Sequence, residues 1–161
     1  MFKVLISPDS FKESLDGMEV AMAIRQGLER GIDGVESICL PVADGGDGTI
    51  EALVKASNGS FMTSRVLDPL GLPIDAIWGV MGDGVTAVIE MARASGLALL
   101  TDEQRDPRYT TTFGTGQLIY EAIQKGYKKL IIGIGGSATN DGGAGMAQAL
   151  GVKFLDQNGK E

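Results

Sequence analysis

Three polar loops carry the side chains that could do chemistry in this sequence. The first runs through residues 7–14 and contains one cation, Lys12, close in the chain to the hydroxyl of Ser10 and the carboxylate of Asp9. A lysine in such a loop can hold a phosphate or a carboxylate group, because its ammonium is a compact point charge. A solvated surface lysine is the alternative, since most lysines lie at protein surfaces.

The second loop contains two carboxylates separated by two glycines. Asp44 and Asp47 stand three residues apart in the sequence Asp-Gly-Gly-Asp-Gly-Thr. This spacing allows both carboxylates to bind one hard cation such as Mg²⁺, or one of them to act as a general base beside the metal. The alternative is structural, because Asp47 would also lie near the N-terminus of a following helix and could cap it.

The third loop, residues 135–143, combines bare glycine amides with short polar side chains. It carries Ser137, Thr139, Asn140 and Asp141. Where a strand passes into a helix, glycine-rich N–H groups bind anions without a basic side chain. Glycines that only permit tight turns and close packing are the alternative. Because the second loop is also rich in glycine, we favour anion binding.

The composition excludes several classes of protein. The 161 residues include 24 glycines, no histidine and one cysteine, Cys39, which we expect to be a buried thiol. Without histidine, neither a Ser-His-Asp hydrolase nor a histidine-ligated zinc site can be built. With a net charge of −7 and no cluster of lysine and arginine, the sequence predicts no nucleic-acid partner.

The sequence predicts a cytoplasmic protein with no membrane partner. No apolar run approaches the roughly 18 residues of a membrane-spanning helix. The apolar segment 1–7 is too short for a signal peptide, and Pro8 and Asp9 end it. We interpret this segment as a first β-strand.

The N-terminal region alternates strands and helices, which is typical of a parallel sheet. Apolar residues recur at helical spacing after Asp16, which forms a capping-box pair with Glu19. The predicted elements are a strand at Phe2–Ile6, a helix at Met18–Arg30, a strand at Val35–Val42 and a helix at Ile50–Ala56.

From Phe61 the pattern changes to short strands separated by turns, which indicates a mixed or antiparallel region. The predicted elements are strands at Phe61–Leu67, Ile74–Met81 and Thr86–Met91, a helix at Gln117–Lys125, a buried aliphatic strand at Lys129–Ile134, a helix ending at Leu150 and a strand at Val152–Leu155. We place a domain change near residue 65, between domains 1–65 and 66–161. The last strand would leave an unpaired sheet edge, so we expect a piece of a longer chain.

Two nucleotide-binding motifs were compared with the sequence. No P-loop motif is present, but Gly133 to Ala138 satisfies G-x-G-x-x-[GA], and Asp156 follows 23 residues after Gly133. This match keeps a dinucleotide-binding oxidoreductase as an alternative, together with a non-catalytic nucleotide-binding fragment. The polar loop continues beyond the motif, whereas the fingerprint requires a helix to begin inside it. The residue set favours a phosphate-handling α/β enzyme that works without histidine.

Five motifs, in order along the chain, closely resemble those of the bacterial glycerate kinase family. They are Ser7–Leu15, Pro41–Thr49, Glu90–Leu97, Thr111–Gly116 and Gly135–Gly145. The resemblance implies ATP-dependent phosphorylation of D-glycerate to 2-phosphoglycerate, with Mg²⁺, in the cytoplasm. It also implies a Rossmann-like first domain, with a parallel sheet, into which a second α/β domain with mixed strands is inserted. Family members are longer, so the remainder of the polypeptide would be needed to complete the fold, and the fragment alone would be inactive.

The resemblance and the chemistry of the loops together suggest a role for each motif residue. We expect catalysis from Lys12, Asp44 and Asp141. We expect metal contacts from Asp44, Asp47 and Asp141. Nucleotide binding is expected from Gly135, Gly136, Ser137, Thr139, Asn140 and Thr115, and substrate binding from Asp9, Ser10, Lys12, Gly45 and Gly46. Which loop holds ATP and which holds glycerate stays open.

Overall fold

A computed structural model describes residues 2–11 and 14–160, which form two β-sheets and five α-helices. The strands are β1 (Phe2–Ile6), β2 (Val35–Cys39), β3 (Ser60–Leu67), β4 (Pro73–Val80), β5 (Thr86–Glu90) and β6 (Lys129–Gly133). The helices are α1 (Gly17–Gly31), α2 (Thr49–Ala56), α3 (Ala92–Ser95), α4 (Phe113–Gln124) and α5 (Ala144–Ala149). Within the described residues, no helix is long and apolar enough to cross a membrane.

The first sheet is the parallel pair β1–β2, joined by α1, as the alternation of elements predicts. The capping box at the start of α1 is confirmed: the Asp16 carboxylate accepts the Glu19 N–H at 2.7 Å, and the Glu19 carboxylate accepts the Asp16 N–H at 2.9 Å. β2 ends at Cys39, earlier than Val42. Pro8, in the segment that follows β1, has no N–H to donate to β2, and the Leu40 carbonyl instead accepts the Ser7 hydroxyl at 2.8 Å.

The second sheet has the order β3-β4-β5-β6. β3, β4 and β5 are antiparallel neighbours, whereas β5 and β6 run parallel, so the predicted mixed sheet is confirmed. The sheet begins at Ser60, and the expected domain change near residue 65 therefore falls inside β3. The division into two domains stays a prediction.

Helices cover both faces of the second sheet. On one face α4 contributes Leu118 to a core with Trp78 and Ile89, and on the other face α2 contributes Ile50 and Val54. All of these side chains are fully buried. Packing on both faces fixes the start of α2 relative to the end of β5, which matters for the site below.

Besides β2, three further predicted elements differ clearly from the structure. α4 begins at Phe113 rather than Gln117, so residues 113–116, which we expected to precede the helix, are helical. Residues 152–155 form no strand and are exposed. β6 is not buried: Ile131 and Ile132 are each 38% exposed, since β6 is one of the two edge strands of the described sheet.

Candidate active site

The second and third loops meet backbone to backbone. The Gly135 N–H donates to the Gly45 carbonyl at 2.9 Å. A Cβ atom at Gly133 would lie 2.5 Å from the Gly45 carbonyl oxygen, and one at Gly135 would lie 2.5 Å from the Cα of Gly46. Any side chain would therefore separate the loops, and the two glycine clusters serve first to bring them together.

The two carboxylates of the second loop lie on its exposed side. The Asp44 carboxylate accepts the Gly46 N–H at 2.9 Å, which holds the turn. The Asp47 carboxylate is beside the third loop, with an oxygen 3.9 Å from the Cβ position of Gly136. As expected, Asp47 lies next to the start of α2, but the N-cap residue is Gly48 and not Asp47.

A cavity of about 550 Å³ lies beside these loops. Asp9 and Ser10 of the first loop line it, as do Asp47 and Arg93, while the half-buried Cys39 belongs to its apolar wall. Cavities of this size accommodate small-molecule ligands. Two predicted substrate residues thus share a cavity with one predicted metal ligand.

Other predicted substrate residues lie elsewhere. Gly45 and Gly46 lie at the contact between the loops and not on the cavity wall. Lys12, the expected cation of the first loop, lies outside the described residues. Its role stays a prediction.

Part of the third loop lies at the protein surface. Gly136, Ser137 and Asn140 are exposed, and the hydroxyl groups of Ser137 and Thr139 lie 2.9 Å apart. These groups are open to a ligand.

Thr115, the other predicted nucleotide ligand, lies in the core. It is 1% exposed, and its hydroxyl is paired with that of Ser95 at 2.8 Å. The structure therefore does not bring Thr115 to the third loop, although its assignment to nucleotide binding stays a prediction.

Asp141 is a carboxylate held by backbone N–H groups. Its oxygens accept the N–H of Thr112 at 2.9 Å, of Gly143 at 3.0 Å and of Gly145 at 3.1 Å, and also the Thr112 hydroxyl. Burial works to raise the pKa of Asp141, but these hydrogen bonds outweigh it and lower the pKa below its ordinary value. One anion thus stabilises the starts of α4 and α5. The N–H of Thr112 therefore already has an acceptor.

An ion-pair network around the buried Glu90, next to the second loop, was not predicted from the sequence. Glu90, at the end of β5, is 1% exposed and accepts the N–H of Ile50 at 2.8 Å. Its other oxygen accepts the Arg93 Nε–H at 2.8 Å, and Arg93 Nη2 donates to Glu51 at 2.7 Å. The signal was present, because Glu90 and Arg93 stand three residues apart at the end of a buried strand.

The charges of this network act on one another. Burial raises the pKa of Glu90 above its ordinary value, although the Ile50 N–H and the Arg93 charge oppose it. Burial works to lower the pKa of Arg93, but the charges of Glu90, Glu51 and, more weakly, Asp47 raise it. Asp47 therefore lies within electrostatic reach of Arg93.

The dinucleotide-like motif lacks the structural context that the fingerprint requires. β6 ends at Gly133, and the next helix begins only at Ala144. In the fingerprint the helix opens inside the motif, so that its N-terminus faces the pyrophosphate. Asp156, the acidic residue of the motif, instead closes a turn by accepting the N–H groups of Asn158 and Lys160.

Comparison with known proteins assigns the chain to a family. The family model described as the glycerate kinase family matches residues 4–161. The glycerate kinase of Bacillus subtilis (strain 168) is 57% identical over 159 residues, which are 99% of this chain and 42% of that protein. The glycerate 2-kinase of Escherichia coli (strain K12) is 54% identical over 159 residues, which are again 99% of this chain and 42% of that protein.

A solved structure has the same fold. A crystal structure from Salmonella typhimurium LT2, assigned to glycerate kinase 2, superposes with a TM-score of 0.81 at 51% identity. The match covers 99% of this chain and 43% of that one. The chain thus spans about 42% of the length of the curated relatives that it matches.

Proposed function

Because the chain belongs to the glycerate kinase family, we propose that the full-length protein transfers the γ-phosphoryl group of ATP to D-glycerate in the cytoplasm, giving 2-phosphoglycerate. The observation that carries this proposal is the contact between the second and third loops. It places Asp47 beside the exposed amides of the third loop and on the wall of a cavity that contains Asp9 and Ser10.

The third loop supplies groups suited to phosphate. Phosphoryl transfer depends mainly on positioning and on electrostatic stabilisation, so backbone N–H groups and hydroxyls can perform much of it. Gly136, Ser137, Thr139 and Asn140 would hold the ATP phosphates. The first loop would bind glycerate through Ser10 and Asp9, whose oxygens can pair with the substrate hydroxyls, and Lys12 would neutralise the substrate carboxylate.

The carboxylates of the second loop fit Mg²⁺. The described residues contain no group of three or more acidic, cysteine or histidine side chains that could enclose a metal. Mg²⁺ seldom needs one, because it usually takes one or two carboxylates together with substrate phosphates and water. Asp44 and Asp47 would hold the ion, which when bound neutralises charge on the phosphates. Asp141 stays a candidate ligand, but its oxygens already accept three backbone N–H groups.

The reaction needs a base for one proton. The glycerate hydroxyl oxygen forms a bond to the γ-phosphorus, the bond from that phosphorus to the bridging oxygen breaks, and ADP leaves with the electron pair. The hydroxyl proton passes to a carboxylate. Asp47, which is exposed on the cavity wall, and Asp44, in the same loop, are the candidates to accept it, and Asp141 remains a further candidate.

A coupled assay tests this function. The full-length protein is incubated with D-glycerate, ATP and Mg²⁺, and ADP release is followed while phosphorus NMR identifies the product. We expect ADP release that requires both glycerate and Mg²⁺, and a fall in kcat of about 10²-fold in Asp44→Asn or Asp47→Asn. Asp75→Asn, at an exposed side chain of β4, is the matched control. No ADP release, or a nicotinamide absorbance change in its place, would refute the kinase.

A further inference from the structure

The ion-pair network at the end of β5 joins both loops of the proposed site. Glu90 is paired in register with Gly133 of β6, and the adjacent Met91 N–H donates to the Gly133 carbonyl at 2.8 Å. Gly133 ends β6 two residues before the third loop, and it lies against Gly45 of the second loop. The backbone of Glu90 is therefore tied to the start of the third loop.

The side chain of Glu90 is tied to the second loop. Its carboxylate accepts the N–H of Ile50, the second residue of α2, at 2.8 Å. The N-cap residue of that helix, Gly48, has no side chain that could do so. A carboxylate at this position stabilises a helix start, because it satisfies an N–H group and complements the helix dipole. Glu90 thus determines where the second loop ends.

Arg93 closes the network from the side of the cavity. Its guanidinium bridges Glu90 and Glu51, so that α2 is held at two neighbouring residues, Ile50 and Glu51. Two carboxylates already balance its charge, and Asp47 adds a third anion nearby. A guanidinium in this setting has no excess positive charge for an anionic substrate, which points to a positioning role rather than to substrate binding.

Stability alone does not account for such an arrangement. Replacing a buried ion pair with apolar side chains is often neutral or stabilising. In addition, Oε2 of Glu51 is buried and accepts no hydrogen bond among the described residues, which costs free energy. The network keeps three charged groups in a fixed geometry at the point where both loops begin or end.

We propose that Glu90 and Arg93 are positioning residues that, together with Glu51, hold Asp44 and Asp47 in register with the third loop. This inference rests on the proposed function for its catalytic consequence. The positioning itself is a property of the protein without substrate, and it is measured separately.

Hydrogen exchange measures the positioning directly. In the full-length protein, Glu90→Gln keeps an oxygen for the Ile50 N–H but removes the charge that holds Arg93. We expect the amides of residues 45–50 to exchange about tenfold faster than in wild type, since their protection depends on local opening, while the amides of β5 stay protected. Unchanged exchange in residues 45–50 would overturn the proposal, whether or not the protein phosphorylates glycerate.

Steady-state kinetics measure the consequence. We expect kcat of Glu90→Gln to fall by about tenfold or more, because small displacements of reacting groups are costly, while KM for glycerate changes by less than about threefold. Arg93→Lys should retain only part of the wild-type kcat, since an ammonium cannot bridge two carboxylates in the fork geometry. Arg65→Ala, which breaks the exposed pair with Asp75 on β3 and β4, is the control and should match wild type.

A double variant separates positioning from a purely structural role. Glu90→Gln combined with Arg93→Met removes both charges, and we expect Tm to return towards wild type without recovery of kcat. Recovery of Tm and kcat together would show that only charge balance matters and would overturn the proposal. If wild type releases no ADP with glycerate, the proposed function fails, and the exchange rates still decide the positioning.

Discussion

Two carboxylates stand at helix starts beside the proposed site, and their pKa values move in opposite directions. Asp141 accepts three backbone N–H groups and a hydroxyl, and its pKa is lowered even though burial opposes this. Glu90 is more deeply buried and accepts one backbone N–H and one guanidinium N–H, and burial raises its pKa.

The comparison shows that the pKa of a carboxylate at a helix start depends on two opposing effects. Hydrogen-bond donors lower the pKa, and burial raises it. At Asp141 the glycines of the third loop allow several N–H groups to converge on one carboxylate, as in an anion-binding nest. At Glu90 the donors are an isolated N–H and a side chain 32% exposed. Asp141 is therefore held as a stable anion, whereas Glu90 depends on Arg93.

We expect the largest loss of stability from removing Asp141, whose carboxylate accepts more hydrogen bonds than that of Glu90. Asp141→Ala leaves the N–H groups of Thr112, Gly143 and Gly145 without their acceptor, and we expect the free energy of unfolding to fall by about 3 kcal/mol. Urea unfolding of the full-length protein measures it. Asp75→Ala, which removes only an exposed ion pair with Arg65, serves as the control, with a change within about 0.5 kcal/mol. A stable but inactive Asp141→Ala protein would contradict the structural role and favour the catalytic one.

A smaller loss should follow from disturbing the donors instead of the acceptor. A Cβ at Gly145 would lie 2.0 Å from the Thr111 hydroxyl oxygen and 3.0 Å from an Asp141 oxygen. We expect Gly145→Ala to lower the free energy of unfolding by about 2 kcal/mol, because the helix start must move. Gly27→Ala, with open space around it in α1, should instead stabilise by up to about 1 kcal/mol, since alanine is the better helix former. Equal thermal midpoints of the two variants would show that the cradle around Asp141 tolerates displacement.

Asp16, at the start of α1, is a third carboxylate cap, and its side chain is exposed. Its carboxylate accepts one backbone N–H, that of Glu19, and solvent can replace this partner. We expect Asp16→Ala to cost about 1 kcal/mol, the usual value for a cap residue. Thermal unfolding measures it, and a loss as large as that of Asp141→Ala would remove burial and donor number from the explanation.

The smallest effect, and the one most specific to the comparison, is the pH dependence of stability. A lowered pKa means that Asp141 contributes stability above its unfolded pKa of about 3.9, and the contribution is lost as the pH falls through the folded pKa. A raised pKa means that the contribution of Glu90 is present below its unfolded pKa of about 4.3 and is lost as the pH rises through the folded pKa.

Two isosteric variants test these signs. Urea midpoints measured across acid and neutral pH should show less acid destabilisation in Asp141→Asn than in wild type. They should show less loss on raising the pH in Glu90→Gln, where Arg93 and Glu51 are the charges that face the group. For each variant, the difference between its urea midpoint and that of wild type is plotted against pH. If this difference changed in the same direction for both variants, the opposite pKa shifts would be contradicted.

Local features of the fold could be predicted from the sequence, because they depend on neighbouring residues. Helical periodicity and the Asp16–Glu19 capping box placed α1, and strand patterns placed β3, β4 and β5 to within one residue of the predicted starts or ends. The start of α4 was missed, since threonine and glycine have poor helix propensity and only burial against the sheet makes the segment helical.

The site was predictable as a set of loops but not as a geometry. The glycine clusters and Asp47 were found from their residue types. The partners of Glu90 and Asp141 were not, because Ile50 lies 40 residues from Glu90 and Thr112 lies 29 residues from Asp141. Such pairs depend on strand order and helix packing, which periodicity does not contain.

The backbone contact between Gly45 and Gly135 also has a mechanical consequence. Interlocked side chains resist rotation because they must leave one set of grooves and enter another, whereas two bare backbones joined by one hydrogen bond have no such grooves. The contact therefore depends on the close approach of two bare backbones and not on interlocking side chains. A single methyl group at Gly135 would act as a wedge between the loops, because it would lie 2.5 Å from the Cα of Gly46.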